Sequence, residues 1–156
     1  MSNPIQLIVH GAAGRMGRRV VALAADDANF QLIAAVDHHS NPLIGQDAGL
    51  LAGVSASDVP LRADWPDSAQ AVIDFSLPTA VDACLQEALQ RKFPLVVATT
   101  GLSDSQKESL KEASKSIPIC WAPSMSMAVN LTMKLTQQIT ETLKGVAGGL
   151  DVEIIE

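Results

Sequence analysis

The sequence has little that would take it into a membrane, out of the cell or onto nucleic acid. It has no run of about 18 apolar residues, so no membrane-spanning helix is expected. Met1–Gly11 carries neither a basic stretch nor a long apolar one, so no secretory signal is expected. Only two cysteines occur, Cys84 and Cys120, far apart and without metal-ligand spacing. Two free thiols in a reducing cytoplasm is the reading that follows. Positive charge is scarce: Lys plus Arg number 11 against 17 Asp plus Glu, a net −6. Such a chain lacks the field that sequence-independent nucleic-acid binding needs. Internal repeats and low-complexity tracts are missing. So is any catalytic constellation: there is no assignable Ser-His-Asp set, Cys-His pair or supported pair of carboxylates. What is present is apolar material, 47% of 156 residues, enough for about one domain with a core and too much for a wholly disordered chain.

That material has a rhythm. Short aliphatic runs at Ile5–His10, Gln31–Val36, Ala71–Phe75, Leu95–Ala98 and Ile117–Trp121 read as strands. Between and after them lie helical stretches. Arg15–Ala25 puts Met16, Val20, Leu23 and Ala24 on one face, and Thr79–Gln90 does the same with Ala80, Cys84 and Ala88. Ser103–Ser114 is polar, with Ser103 as cap and Gln106 at the capping-box position. Met127–Leu143 is a long amphipathic helix with Met127, Leu131, Leu135, Ile139 and Leu143 spaced by four, a stripe that reads as core. A further strand is expected to begin at Asp151–Glu156. Alternation of this kind predicts an α/β fold, a doubly wound parallel sheet with helices on both faces and right-handed crossovers. The segment His38–Asp64, rich in Gly, Ser, Asp and Pro, shows no periodicity and reads as a long loop.

The strongest local signal follows the first strand: Gly11, Ala12, Ala13, Gly14, Arg15, Met16 and Gly17, opening the first helix. Glycine permits a tight turn and close approach of a ligand to the backbone. The helix N-terminus offers unpaired N–H groups and a positive dipole end to a phosphate. The spacing is a variant of the dinucleotide-binding fingerprint. Asp37 follows the second strand, 20 residues after Gly17, where a carboxylate accepts hydrogen bonds from an adenosine ribose. His38 and His39 follow; no third and fourth ligand stand near them, so no metal site is expected. His38 can instead face the adenosine 2′ position. Other strand ends can meet a ligand too. Asp74-Phe75-Ser76-Leu77-Pro78 offers Phe75 to a flat cofactor or to the core. Ala98-Thr99-Thr100-Gly101 offers two hydroxyls and a glycine that suit an amide or carboxylate. Ala122-Pro123-Ser124-Met125 precedes the long helix, for which Ser124 or Ser126 can act as cap.

Taken together these motifs resemble the 4-hydroxy-tetrahydrodipicolinate reductase (dihydrodipicolinate reductase) family of bacterial lysine and diaminopimelate synthesis. Gly11–Gly17 matches the family's G-x-x-G-R-M-G loop, and Val72–Pro78 matches V-I-D-F-[ST]-x-P. Thr99-Thr100-Gly101 matches T-T-G, Ser124–Asn130 partly matches N-[FM]-S-x-x-V-N, and Asp151–Glu156 matches D-x-E-I-x-E. Even the aperiodic segment fits, through Leu43–Gly49.

The resemblance implies a Rossmann-like cofactor domain over 1–126, with 127–156 as the long helix and first strand of an incomplete α+β substrate domain. It implies hydride transfer from NADH or NADPH to a cyclic imine dicarboxylate, giving tetrahydrodipicolinate. Gly11 to Met16 would hold the pyrophosphate and Asp37 the adenosine ribose. Ala98, Thr99, Thr100 and Ala122 to Met125 would meet the nicotinamide side, with Thr100 also approaching the substrate. Two positions depart from the family. His38 stands where NADPH-preferring members tend to carry arginine, which implies a preference for NADH or weak discrimination. Ser124 stands where asparagine is usual. The family also continues past the position of Glu156 with a His-His pair, a lysine and an S-G-T motif that supply the proton and hold the substrate. From this the chain is expected to bind cofactor without catalysing reduction by itself, and its share in the family's homotetramer is left open. Two other functions compete: a stand-alone NAD(H)-binding regulatory module, and a methyltransferase using a nucleoside cofactor on the same fold.

Overall fold

The computed structural model describes residues 3–146, 148, 149, 151 and 153. The chain divides into two compact units, Met1–Pro123 and Ser124–Glu156. In the first, six strands form one sheet: β1 (Ile5–His10), β2 (Phe30–Val36), β3 (Leu61–Arg62), β4 (Ala71–Asp74), β5 (Leu95–Val97) and β6 (Ile119–Trp121). All pairings are parallel, in the order β3-β2-β1-β4-β5-β6. The strands are aliphatic because both faces are covered. On one face Leu7, Val9, Ala35 and Leu61 pack with Val21 and Ala24; on the other Ile8, Val36, Val72, Leu95 and Val97 pack with Val81, Leu85 and Leu110. β2 and β4 flank β1 on opposite sides, and the chain crosses from β3 back over to β4, so the strand order reverses at β1. A crevice opens at the carboxyl ends of strands at such a switch point.

Helix α1 (Arg15–Asp26) buries Gly17, Val21, Ala22 and Ala24. The expected face through Met16 and Leu23 is therefore rotated: both are about half exposed. Gly17 is the reason, because a residue without a Cβ lets the helix turn that side onto the loop below. Helix α2 (Ala48–Leu51) and strand β3 lie in the segment read as loop. Asp47 caps α2 by accepting from Leu50 N at 3.0 Å, and also accepts from Ser57 N at 3.1 Å. Helix α3 (Pro78–Arg91) starts on Pro78, whose missing N–H costs nothing in the first turn. It buries Val81, Cys84, Leu85 and Ala88. Strand β6 starts two residues later than expected, after Pro118, which has no N–H to give to the ladder.

Helix α4 (Asp104–Ala113) carries the expected capping box: Ser103 Oγ accepts from Gln106 N at 3.2 Å and Gln106 Oε1 accepts from Ser103 N at 3.1 Å. Gln106 Nε2 also donates to Pro78 O at 2.7 Å, tying α4 to α3. Ser103→Ala is expected to cost about 1 kcal/mol, read as a fall in thermal midpoint; an unchanged midpoint would remove the box from the stabilising set.

In the second unit, helix α5 (Met127–Leu143) has the expected bounds, and Ser126 Oγ accepts from Val129 N at 3.4 Å as its cap. Its stripe is not core: α5 has no buried residue, and Met127 is 88% exposed. A spacing of four shows that a helix has an apolar face; it does not say that the face is covered. The strand expected over 151–156 rests on 152 and 154–156, which lie outside the described residues.

Candidate functional site

At the switch point the glycine loop is fastened from below. Gly11 N and Ala12 N both donate to Val36 O, at 2.9 and 3.2 Å. Gly11 has φ +73°, and a Cβ there would lie 2.8 Å from Phe75 O, so the turn needs glycine. Arg18 Nε donates to Ala13 O at 2.9 Å. Gly14 is the N-cap of α1 and, having no side chain, makes no capping bond. The first-turn N–H groups of α1 are thus left without a side-chain cap.

Asp37 reaches across to this loop. Its Oδ2 accepts from Ala13 N at 2.9 Å, while Oδ1 accepts from His38 N at 2.8 Å and Asn41 Nδ2 at 3.0 Å. A carboxylate has about four acceptor sites. Three are used internally, so Asp37 both staples the loop and keeps room for one further donor. His38 Nδ1 lies 2.7 Å from Ser40 Oγ, and the His38 and His39 rings are 4.1 Å apart.

Beside the loop, parallel register sets His10 against Asp74. His10 Nδ1 lies 2.7 Å from Asp74 Oδ1. Asp74 is fully buried, and Ser76 N (3.2 Å) and the Thr99 hydroxyl (2.7 Å) also donate to it. Burial pushes this carboxyl up, but the hydrogen bonds from His10, Ser76 and Thr99, together with positive charge on His10, outweigh it and hold it below the usual aspartate value. Donor atoms of His10, Asp74 and Cys84 lie within 4.8 Å of one another. Burial, then the Asp74 and Glu87 charges, pushes the Cys84 thiol well up, which disfavours the thiolate a metal would need.

These elements line a cleft of ≈ 810 Å³. It gathers Gly11, Ala13, Gly14, Asp37, His38 and Phe75 of the expected site residues. The others do not line it. Ala12 is buried in the core on the α1 side. Arg15 and Met16 are exposed on the first turn of α1. Ala98 is buried behind β5, and the Thr99 hydroxyl is turned onto Asp74. Thr100 is exposed, Ala122 half-buried and Pro123 exposed at the end of β6. Ser124 and Met125 belong to the second unit, where Ser124 O accepts from Asn130 Nδ2 at 2.9 Å. Sequence reasoning missed His10, Asn41 and Trp65, all of which line the cleft. His10 had a signal, since the last residue of the first strand stands in register with the acidic end of a neighbouring one. Trp65 had none, because it sits in an aperiodic connection.

The residues present fit a dinucleotide. Gly14 leaves the uncapped helix end bare, and Asp37 has an acceptor site free.

A family profile described as "Dihydrodipicolinate reductase, N-terminus" matches residues 5–125. A 4-hydroxy-tetrahydrodipicolinate reductase of Rhodopirellula baltica is 59% identical over 99% of the chain, which spans 57% of that relative. A second, from Caldanaerobacter subterraneus, is 36% identical over 97% of the chain, which spans 55% of it. Among solved structures, a dipicolinate-bound dihydrodipicolinate reductase from Paenisporosarcina superposes with a TM-score of 0.66 at 19% identity, over 88% of this chain and 54% of that one. A myo-inositol 2-dehydrogenase from Lactobacillus plantarum gives 0.60 at 14%, over 86% and 41%. At these identities the structural likeness speaks for the fold alone. The chain spans little more than half the length of the curated relatives it matches.

Proposed function

Because the chain belongs to the dihydrodipicolinate reductase family, we propose that its cleft binds a reduced nicotinamide dinucleotide and that it forms the cofactor-binding part of a reductase acting on a cyclic imine dicarboxylate. The observation that carries this is the uncapped first turn of α1 beneath a side-chain-free Gly14, with the Asp37 carboxylate on the same cleft. The bound cofactor would supply the hydride. The chain's own residues hold it: the Gly11–Met16 backbone takes the pyrophosphate through N–H donors, and Asp37 accepts from one ribose hydroxyl. Phe75 gives a flat apolar wall. Ala98, Thr99, Thr100 and Ala122–Met125 are assigned to the nicotinamide side by family likeness, with Thr99 acting through Asp74. In this reading 1–126 is the cofactor domain and 127–156 opens the substrate domain and the family's tetramer contacts. The two free cysteines suit a reducing cytoplasm. No helix among the described residues is long and apolar enough to cross a membrane.

The cofactor preference follows from charge. A 2′-phosphate would meet the Asp37 carboxylate in a cleft that, among the described residues, no Lys or Arg lines. One such unfavourable pair near a surface costs about 1–4 kcal/mol, so NADPH is expected to bind at least about fivefold more weakly than NADH. Thermal shift with each cofactor tests this, since a ligand of the folded state raises its apparent stability. Asp37→Ser should narrow the gap. Equal shifts from both cofactors in the wild type would overturn the preference. No shift from either, with a shift from S-adenosylmethionine, would overturn the function.

A further inference from the structure

We propose, on the dinucleotide reading above, that His10 is a specificity residue that reads the purine of the cofactor, accepting a hydrogen bond from its 6-amino group and so selecting adenine over a 6-oxo purine.

The argument starts from the tautomer. Asp74 is fully buried, and the Ser76 N–H and the Thr99 hydroxyl donate to it. A carboxylate held as an anion can only accept, so the His10 nitrogen 2.7 Å from Oδ1 must be the donor. In the uncharged ring with its proton on Nδ1, Nε2 is a lone pair. Among the described residues nothing hydrogen-bonds Nε2. The side chain is only 12% exposed and is one of the residues that line the cleft. The ring cannot easily turn away. Asp74 holds one edge, and the Trp65 ring stands 5.4 Å from it, tilted by 40°.

The surroundings select the kind of ligand. Val36, Ala63, Trp65, Leu77, Ala80 and Ala83 give this cleft apolar walls. A fixed acceptor among apolar walls suits a flat heterocycle with an N–H donor and disfavours an anion. Asp37, taken for the ribose, lines the same cleft. The base attached to that ribose is the heterocycle such walls would receive. Adenine brings a 6-amino donor; hypoxanthine brings a carbonyl, which would set two lone pairs against each other. A site built around a buried polar group rejects the analogue that leaves it unpaired. If His10 were only a strut between β1 and β4, the base would not matter.

The test is calorimetric titration with NADH and with reduced nicotinamide hypoxanthine dinucleotide, both at the same pH. Asp37, His38 and His39 line the same cleft, and Asp74 and Cys84 stand beside the ring. The comparison between bases at one pH holds all of them constant. The wild type is expected to bind the adenine form about tenfold more tightly, the scale of one net hydrogen bond. His10→Asn keeps an N–H where Nδ1 meets Asp74 and deletes Nε2. Its preference should fall within about twofold. His10→Phe, a planar ring without either nitrogen, serves if the asparagine variant does not fold. Equal binding of both forms by the wild type would overturn the inference and leave the cofactor reading standing, as would a preference retained in the variant. Binding of neither form by a folded wild type would overturn both.

Discussion

Gly17→Ala is expected to be the most damaging single change in the nucleotide-binding unit. A Cβ at Gly17 would lie 2.1 Å from Gly11 O and 2.7 Å from Ala12 Cα. Both are backbone atoms of a loop already fixed by two bonds to Val36 O, so neither can swing aside as a side-chain tip could. Overpacking typically costs about 1–3 kcal/mol, and a backbone obstacle puts this case at the upper end or beyond. The expected reading is a thermal midpoint lowered by about 10 °C before any ligand is added. Gly14→Ala separates stability from binding. There φ is −69°, and the added Cβ would meet only Gly11 O, at 3.1 Å. The fold should lose no more than about 1 kcal/mol, the scale of a changed cap. The methyl, however, would stand over the first turn of α1, so the shift produced by NADH should largely vanish. A Gly17→Ala protein with the wild-type midpoint would show that helix and loop are not in the contact described. A Gly14→Ala protein with the full NADH shift would move the pyrophosphate away from this turn.

That pair of glycines also shows what the sequence can and cannot reveal. The loop was legible because its chemistry is local: glycine spacing, a preceding aliphatic run and a following helix sit within Ile5–Asp26. The five longer strands and α5 were legible for the same reason. Strand β3 and helix α2 were not, since two and four residues carry no period. What holds them is non-local: Asp47 reaching Ser57, and β3 pairing with the end of β2. The buried face of α1 was misjudged because periodicity weighs only apolar side chains, whereas here the anchor is a residue with none. At the site, Asp37 was visible from its distance to the loop, yet its bond to Ala13 N was not, because that contact exists only once β1 and β2 are side by side. The His10–Asp74–Thr99 group is the extreme case, since three strands must be in register before it exists.

That group should also govern the acid limb of stability. Asp74→Ala would leave the His10 ring, the Ser76 N–H and the Thr99 hydroxyl without their shared acceptor, at a position whose side chain is fully buried. Unsatisfied buried groups cost about 1–3 kcal/mol each, and relaxation recovers part, so a loss of about 3 kcal/mol is expected. Asp74→Asn keeps the shape. Its carbonyl can still accept from His10 and Ser76, and its amide can donate to the Thr99 hydroxyl, so only the charge-assisted part is lost and the cost should be smaller. Burial raises the wild-type carboxyl and its three hydrogen bonds lower it further, for a folded value below the ordinary 3.8. A group lowered in the folded state contributes stability that is fully present above its unfolded value and disappears as pH falls through the folded one. Wild-type stability should therefore decline as pH drops below about 4, and Asp74→Asn should flatten that decline. It should not abolish it. Backbone N–H bonds, led by Leu50, hold Asp47 below the usual range, and Lys107 does the same for Asp104. Urea melts of both proteins at neutral pH and down the acid limb make the comparison. An Asp74→Asn protein equal to wild type in both midpoint and acid slope would mean the buried carboxylate is neutral in the native state, and the tautomer assigned to His10 would fall with it.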